Sequence, residues 1–152
     1  MSISMDMHNT ADFIISADVL EHTPPPVETA FGNLFKILKP GGVCILSVPY
    51  RNIGESEEHF PGLYNYSIVK RDGKKVLVSK DREGCVRVFE NLHFHLGLGA
   101  VLEMRMFSKK ALQDVIEKTG FNKVIFYQDS IPEHGILLES DTDSVVIVLR
   151  KE

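Results

Sequence analysis

Apolar and polar positions along the chain follow two periods, and each change of period marks an element. Phe13-Ile14-Ile15 is a short continuous apolar run, the pattern of a strand buried on both faces. Polar residues take over from Ser16 to His22, where that strand must end. Val27, Ala30, Phe31, Leu34 and Leu38 then recur at three- and four-residue spacing, with Glu28, Asn33 and Lys36 off that face. The spacing predicts a helix over 25–38, capped by Thr23, with proline in its first turn where a missing N–H costs nothing. Pro40-Gly41 ends that helix, and the apolar run from Val43 to Val48 predicts a second buried strand. Together these make a strand–helix–strand crossover whose first strand ends in a loop of polar groups. In an open α/β sheet, ligands bind at that end of the strands.

The pattern then loosens over about 50–107. Arg51 to Gly62 reads as a mobile polar loop. Asn65 to Val78 alternates around Asp72-Gly73, a pair suited to a two-residue hairpin turn, and Cys85 to Phe89 predicts a third short strand. Regularity returns at Ser108, a cap for a helix with Ala111, Leu112, Val115 and Ile116 on one face and Gly120 at its end. Val124 to Tyr127 and Val145 to Leu149 are the last two strands. One domain with a long insertion is the expectation for residues 1–152.

Composition narrows the function classes. Hydrophobic residues make up 43% and charged ones 25%, as in globular proteins with a real core. A net charge of -4 argues against nucleic acid or an anionic membrane as partner, and Lys70, Arg71, Lys74, Lys75 and Lys80 read as a solvated hairpin. No apolar run approaches the roughly 20 residues of a membrane span. The first residues lack the charged and apolar regions of a signal peptide. Cys44 and Cys85 do not make a disulfide framework, so a cytoplasmic setting is expected, with Cys44 in the core.

The run from Asp12 to His22, with Val19-Leu20-Glu21-His22 at its end, and the Leu38-Lys39-Pro40-Gly41-Gly42 turn closely resemble the middle of a class I S-adenosylmethionine-dependent methyltransferase. The resemblance implies a partial Rossmann-like fold: a mostly parallel sheet, an antiparallel last strand lying between the second and third, and a β-hairpin insertion. It implies S-adenosylmethionine as cofactor. Ser16, Ala17, Asp18, Leu20, Glu21 and His22 would lie beside its methionine portion, with Asp18 placed to accept from the ammonium group or, equally, to bond the loop. An acid before this strand reaches the adenine in many members, which nominates Asp6, although the link to Asp12 is short. The family's Gly-x-Gly-x-Gly strand and its ribose-holding acid have no counterpart, since eleven residues before Asp12 are too few for them. The expectation is a truncated domain that alone binds the cofactor weakly or not at all.

Methyl transfer to oxygen or nitrogen is an in-line displacement in which alignment and exclusion of water do most of the work. A base is needed where the acceptor holds a proton of high pKa, and His22 stands where one would serve; it could equally satisfy the start of the following helix. A small-molecule acceptor is expected, with His93, His95 and Arg105 of the insertion lining its site. Gly97-Leu98-Gly99 is a poor match to a cofactor loop, because the residues before it are not an apolar strand. Cys85, His93 and His95 lack the fourth ligand and paired spacing of a structural zinc site. The alternative to an enzyme is a non-catalytic remnant or half-domain that pairs with another chain. In either case the strand at 13–16 would present an open edge, inviting self-association or a partner chain.

Overall fold

The described residues form two sheets, and the larger carries the polar strand end. The computed structural model describes residues 3–51, 54–94, 101–135, 137 and 144–152. In chain order, β1 is Ala11–Ala17, α1 Glu28–Ile37, β2 Leu38–Arg51 and β3 Glu57–Glu58; β4, β5 and β6 are Asn65–Arg71, Lys74–Lys80 and Val86–Phe89. Then come β7 (Arg105–Ser108), α2 (Lys109–Thr119), β8 (Lys123–Tyr127) and β9 (Ser144–Arg150). Strand β2 is the axis of the larger sheet. It pairs in parallel with β1 from Phe13↔Val43 to Ala17↔Ser47, and antiparallel with β9 from Val43↔Arg150 to Pro49↔Ser144. Strand β8 lies antiparallel outside β9, so the last strand does sit between the second and third parallel ones. Among the described residues no helix is long and apolar enough to cross a membrane.

One face of this sheet is the core. Cys44, Leu46 and Val48 of β2 and Val145, Ile147 and Leu149 of β9 are buried against Phe31 of α1 and Leu112, Val115 and Ile116 of α2. Burial of each such side chain contributes about 1.5–3 kcal/mol, which makes this layer the main source of stability. The helical stripe read from the sequence packs here as expected. Helix α1 starts later than 25, however, with Val27 before it and no side-chain cap. The run Pro24-Pro25-Pro26 explains the delay, since a residue that precedes proline is driven out of the helical region. The Thr23 hydroxyl, expected as the cap, donates to the Leu20 carbonyl instead, at 2.7 Å.

Three further expectations change. Strand β1 is not buried on both faces: Ile14 and Ser16 turn inward, whereas Phe13 is 52% and Ile15 70% exposed. Strand β2 begins at Leu38, five residues early, because the backbone is already extended there (φ -64°, ψ 136°) and pairs with Ala11 across a register shift. The turn at Gly41 is absorbed into the strand and held by the chain's end, with Gly41 N–H donating to the Lys151 carbonyl and Lys151 N–H to that of Gly42. Finally, the polar loop before residue 60 contains β3, which pairs antiparallel with β7 through Glu57↔Met106 and Glu58↔Arg105. That pairing spans almost fifty residues and leaves no local trace.

The insertion is a three-stranded antiparallel sheet, β4-β5-β6, with a core of its own: Phe60, Leu63, Leu77, Leu102 and Met104. Its hairpin turns where expected, with Asp72 and Gly73 both at positive φ (52° and 80°), the geometry of a type I′ turn. Ser108 accepts from the Ala111 N–H at 3.2 Å and Gly120 closes α2 at φ 105°, also as expected.

Two glycines should respond oppositely to alanine. A Cβ at Gly42 would lie 2.8 Å from the Lys39 carbonyl oxygen, whereas nothing lies within 4 Å of one at Gly32 inside α1. Urea unfolding should show Gly42→Ala destabilised by about 1–3 kcal/mol and Gly32→Ala stabilised by about 0.5–1 kcal/mol. The cysteines should also separate. Burial pushes the Cys44 thiol up to about 11, while Cys85 is exposed. A thiol reagent in mildly alkaline buffer should modify Cys85 in the native protein and Cys44 only on unfolding.

Candidate active site

The carboxyl end of β1 runs into a turn held by bonds on three sides. Asp18 takes a left-handed backbone conformation (φ 50°), which aspartate tolerates better than most residues. Its N–H donates to the Ser47 carbonyl at 3.0 Å, and the Ser47 hydroxyl donates back to its carboxylate at 3.0 Å. The strand end is thereby fixed to β2, and one carboxylate oxygen of Asp18 is engaged. Ala17 and Asp18 are exposed beside this bond, and Ser16 is buried. Leu20-Glu21-His22 then makes a single 3-10 turn, in which Leu20 and Glu21 are buried. Leu20 packs into the core, and the Glu21 carboxylate is buried beside the His22 ring. Asp6 sits in an exposed turn, where the Ser4 hydroxyl holds its carboxyl below the ordinary aspartate value.

Arg105 is the cation that organises this turn. It is 1% exposed, and its guanidinium fork reaches in two directions. Toward the turn, Nη1 donates to the carbonyls of Leu20 (2.9 Å) and Thr23 (2.7 Å). Toward the insertion, Nε donates to Glu58 Oε1 at 2.6 Å. Residues 20–23, β3 and β7 therefore meet at one side chain. A planar cation with donors pointing to several sides suits this task, and a single ammonium does not. Arg105, expected to line the acceptor site, is thus committed to protein groups; its neighbour Met104 reinforces the joint by donating its N–H to the Glu21 carbonyl at 2.7 Å.

His22 is tied to the same joint. Its Nδ1 lies 2.9 Å from the Leu102 carbonyl oxygen, and Nε2 is 3.6 Å from Glu21 Oε1. A carbonyl only accepts, so Nδ1 carries a proton and Nε2 lies toward the buried Glu21 carboxylate. The insertion does therefore stand at the carboxyl end of β1. His93 is exposed and belongs to a second cluster: its ring stacks on His59, with centroids 4.1 Å apart, and its carbonyl accepts from the Glu103 N–H. His59 Nε2 in turn lies 2.8 Å from Glu103 Oε1. His59, Glu103 and Glu58 were not singled out in the sequence, since their partners are more than forty residues away. His95, like Gly97 and Gly99, lies outside the described residues. Cys85 sits in the turn before β6, its N–H donating to Asp81. Between Pro25-Pro26 and the insertion opens a cleft of about 400 Å³, lined also by Leu63, Tyr64, Arg82 and Arg87.

Removal of the Arg105 fork should be costly. Arg105→Met strips a donor from two carbonyls of the turn and should cost about 3 kcal/mol. The Glu58 contact adds little, because that carboxylate is 38% exposed. Arg105→Lys should recover less than half of the loss in urea unfolding. Wild-type stability in the lysine variant would contradict the two-sided role.

Comparison with known proteins places this geometry. A sequence profile described as a methyltransferase domain matches residues 4–125. No curated protein sequence matches the chain at a significant level. Among solved structures, an S-adenosylmethionine-dependent methyltransferase from Mesorhizobium loti superposes with a TM-score of 0.51 at 13% identity, covering 98% of this chain and 67% of its own. A glycopeptide N-methyltransferase crystallised with S-adenosyl-L-methionine gives 0.51 at 12% identity, covering 99% and 61%. The 1,6-didemethyltoxoflavin N1-methyltransferase of Burkholderia thailandensis, solved with bound 1,6-didemethyltoxoflavin and S-adenosylhomocysteine, gives 0.50 at 14% identity over 95% of this chain. The chain spans 45% of the length of that last protein. With the profile covering most of the sequence, the chain belongs to the methyltransferase-domain family, whose fold is the class I S-adenosylmethionine-dependent one.

Proposed function

We propose that these 152 residues form one wall of an S-adenosylmethionine-dependent methyltransferase site, comprising the carboxyl end of a central strand and the insertion above it. The single observation that carries this reading is the joint at Arg105, which ties the strand-end turn to the insertion. The cofactor would supply a sulfonium methyl group. Ala17 and Asp18 would meet its methionine portion from an exposed position, with Ser16 beneath them, and the second carboxylate oxygen of Asp18 would accept from the ammonium group. Leu20 and Glu21 would act by shaping the turn. The acceptor would enter from the insertion side, where His22 meets the Leu102 carbonyl. As the methyl group passes from sulfur to the acceptor's oxygen or nitrogen, the acceptor's proton would leave to a base on this wall, and His22, oriented by the Leu102 carbonyl and the Glu21 carboxylate, is the candidate.

Cofactor grip in this arrangement comes from one side only. Beyond the Asp18 carboxylate and nearby backbone, the wall offers little to a ribose or adenine, so residues 1–152 should bind weakly. The alternative reading, a non-catalytic half-domain, shares this weak binding and differs in lacking specificity for the turn. Amide chemical-shift mapping separates the two. Millimolar S-adenosylhomocysteine should shift Ser16 to His22 selectively and leave the β4–β5 hairpin untouched. Shifts scattered over the surface, or none, would contradict the proposed wall, and tight stoichiometric binding would contradict its one-sidedness.

A further inference from the structure

Residues 102–104 form a strap between the strand-end turn and the insertion, bonded on both sides. Toward the turn, the Leu102 carbonyl lies 2.9 Å from His22 Nδ1, and the Met104 N–H donates to the Glu21 carbonyl. Toward the insertion, the Glu103 N–H donates to the His93 carbonyl at 2.8 Å, and the Met104 carbonyl accepts from the His59 N–H at 2.9 Å. The Leu102 carbonyl and the Glu103 N–H are the two ends of one planar peptide, so His22 and His93 hold the same rigid unit. Leu102 and Met104 bury their side chains in the insertion's core. Glu103, between them, is 8% exposed, and its carboxylate lies 2.8 Å from His59 Nε2. A carboxylate accepts, so His59 Nε2 donates. The other ring nitrogen of His59 is buried without a hydrogen-bond partner among the described residues, with Glu57 Oε1 3.9 Å away. An apolar ring stacked on His93 would fill this place without burying such a nitrogen. What the histidine adds is its bond to Glu103.

We propose that His59 and Glu103 are positioning residues for His22, and that their bond sets the strap so that the Leu102 carbonyl keeps the His22 proton on Nδ1. The proposal rests on the reading of His22 as the base of this wall. Two acceptors compete for the single proton of the neutral His22 ring: the Leu102 carbonyl beside Nδ1, at 2.9 Å, and the Glu21 carboxylate on the Nε2 side, at 3.6 Å. Only the first lies within hydrogen-bonding distance, so a strap held in place gives the Nδ1–H form. The carboxylate is the stronger acceptor because it is charged. If the peptide of Leu102 and Glu103 turns or moves outward, the carbonyl contact lengthens and the proton passes to Nε2. The Glu103 side chain springs from the end of that peptide, and its bond to His59 resists the movement. Which nitrogen of His22 is basic is thus decided from the insertion.

Side-chain nitrogen shifts of the full chain, read by nuclear magnetic resonance with the rings neutral, report which nitrogen of His22 carries the proton. Wild type should show mainly the Nδ1–H form, and a wild type in the Nε2–H form would overturn the proposal whatever the variants do. His59→Phe keeps a ring on His93 and loses the donor, and Glu103→Leu loses the acceptor. Each should lower the ratio of Nδ1–H to Nε2–H about fivefold, the effect of one hydrogen bond, with the circular dichroism of wild type. His59→Gln gives up the ring and keeps a donor for Glu103, so it should retain the wild-type ratio. An unchanged ratio in the two loss variants would overturn the proposal. So would a change in His59→Gln as large as in His59→Phe, which would assign the effect to ring packing. Cofactor recognition is read separately, from the S-adenosylhomocysteine shifts at Ser16 to His22. Those shifts with an unmoved tautomer would fault the positioning alone, and a moved tautomer without them would fault the proposed wall alone.

Discussion

One buried cation sets the geometry of the candidate site. Arg105 has almost no contact with solvent, and an arginine so placed must satisfy its donors within the protein. It does so by drawing the Leu20 and Thr23 carbonyls from one side and Glu58 from the other. A short turn with little apolar burial of its own is thereby fixed to an insertion that begins thirty residues later. The neighbouring bonds from Met104 to Glu21 and from His22 to Leu102 follow the same line. Without the guanidinium they would have to hold an otherwise open seam.

The asymmetry of the main sheet follows from where its helices lie. Helices α1 and α2 cover one face, and the polar turn emerges at the carboxyl ends of the strands on that scaffold. What remains uncovered is the other face, with Phe13, Ile15, Ile125 and Tyr127. The same strand thus presents two different surfaces within seven residues: an apolar stretch facing away from the core, and a polar tip where chemistry would occur.

Elements governed by local rules were legible in the sequence. Asp72-Gly73 turned the hairpin because both positions need positive φ, Ser108 capped α2 through its own hydroxyl, and the order of the last two strands agreed with the family resemblance. Misreadings arose where a distant partner decides. Phe13-Ile14-Ile15 is as apolar as a central strand, but burial depends on what packs over it, and apolar content cannot report that. Thr23 has the chemistry of a helix cap; the three prolines after it and the Arg105 donor gave its hydroxyl and carbonyl other partners. Glu58 and His59 read as part of a polar loop because their partners, Arg105 and Glu103, lie more than forty residues away. The resemblance pointed to the correct turn, and the groups that hold it in place became visible only in three dimensions.

Hydrogen exchange of the Arg105→Lys variant, compared with wild type, tests this account most directly. If the guanidinium joins the strand-end turn to the insertion, protection should fall together at residues 19–23, at His59, and at Glu103 and Met104, while α2, β8 and β9 keep theirs. Unchanged protection at the turn, or loss spread evenly over the whole sheet, would show that the site is held by something other than Arg105.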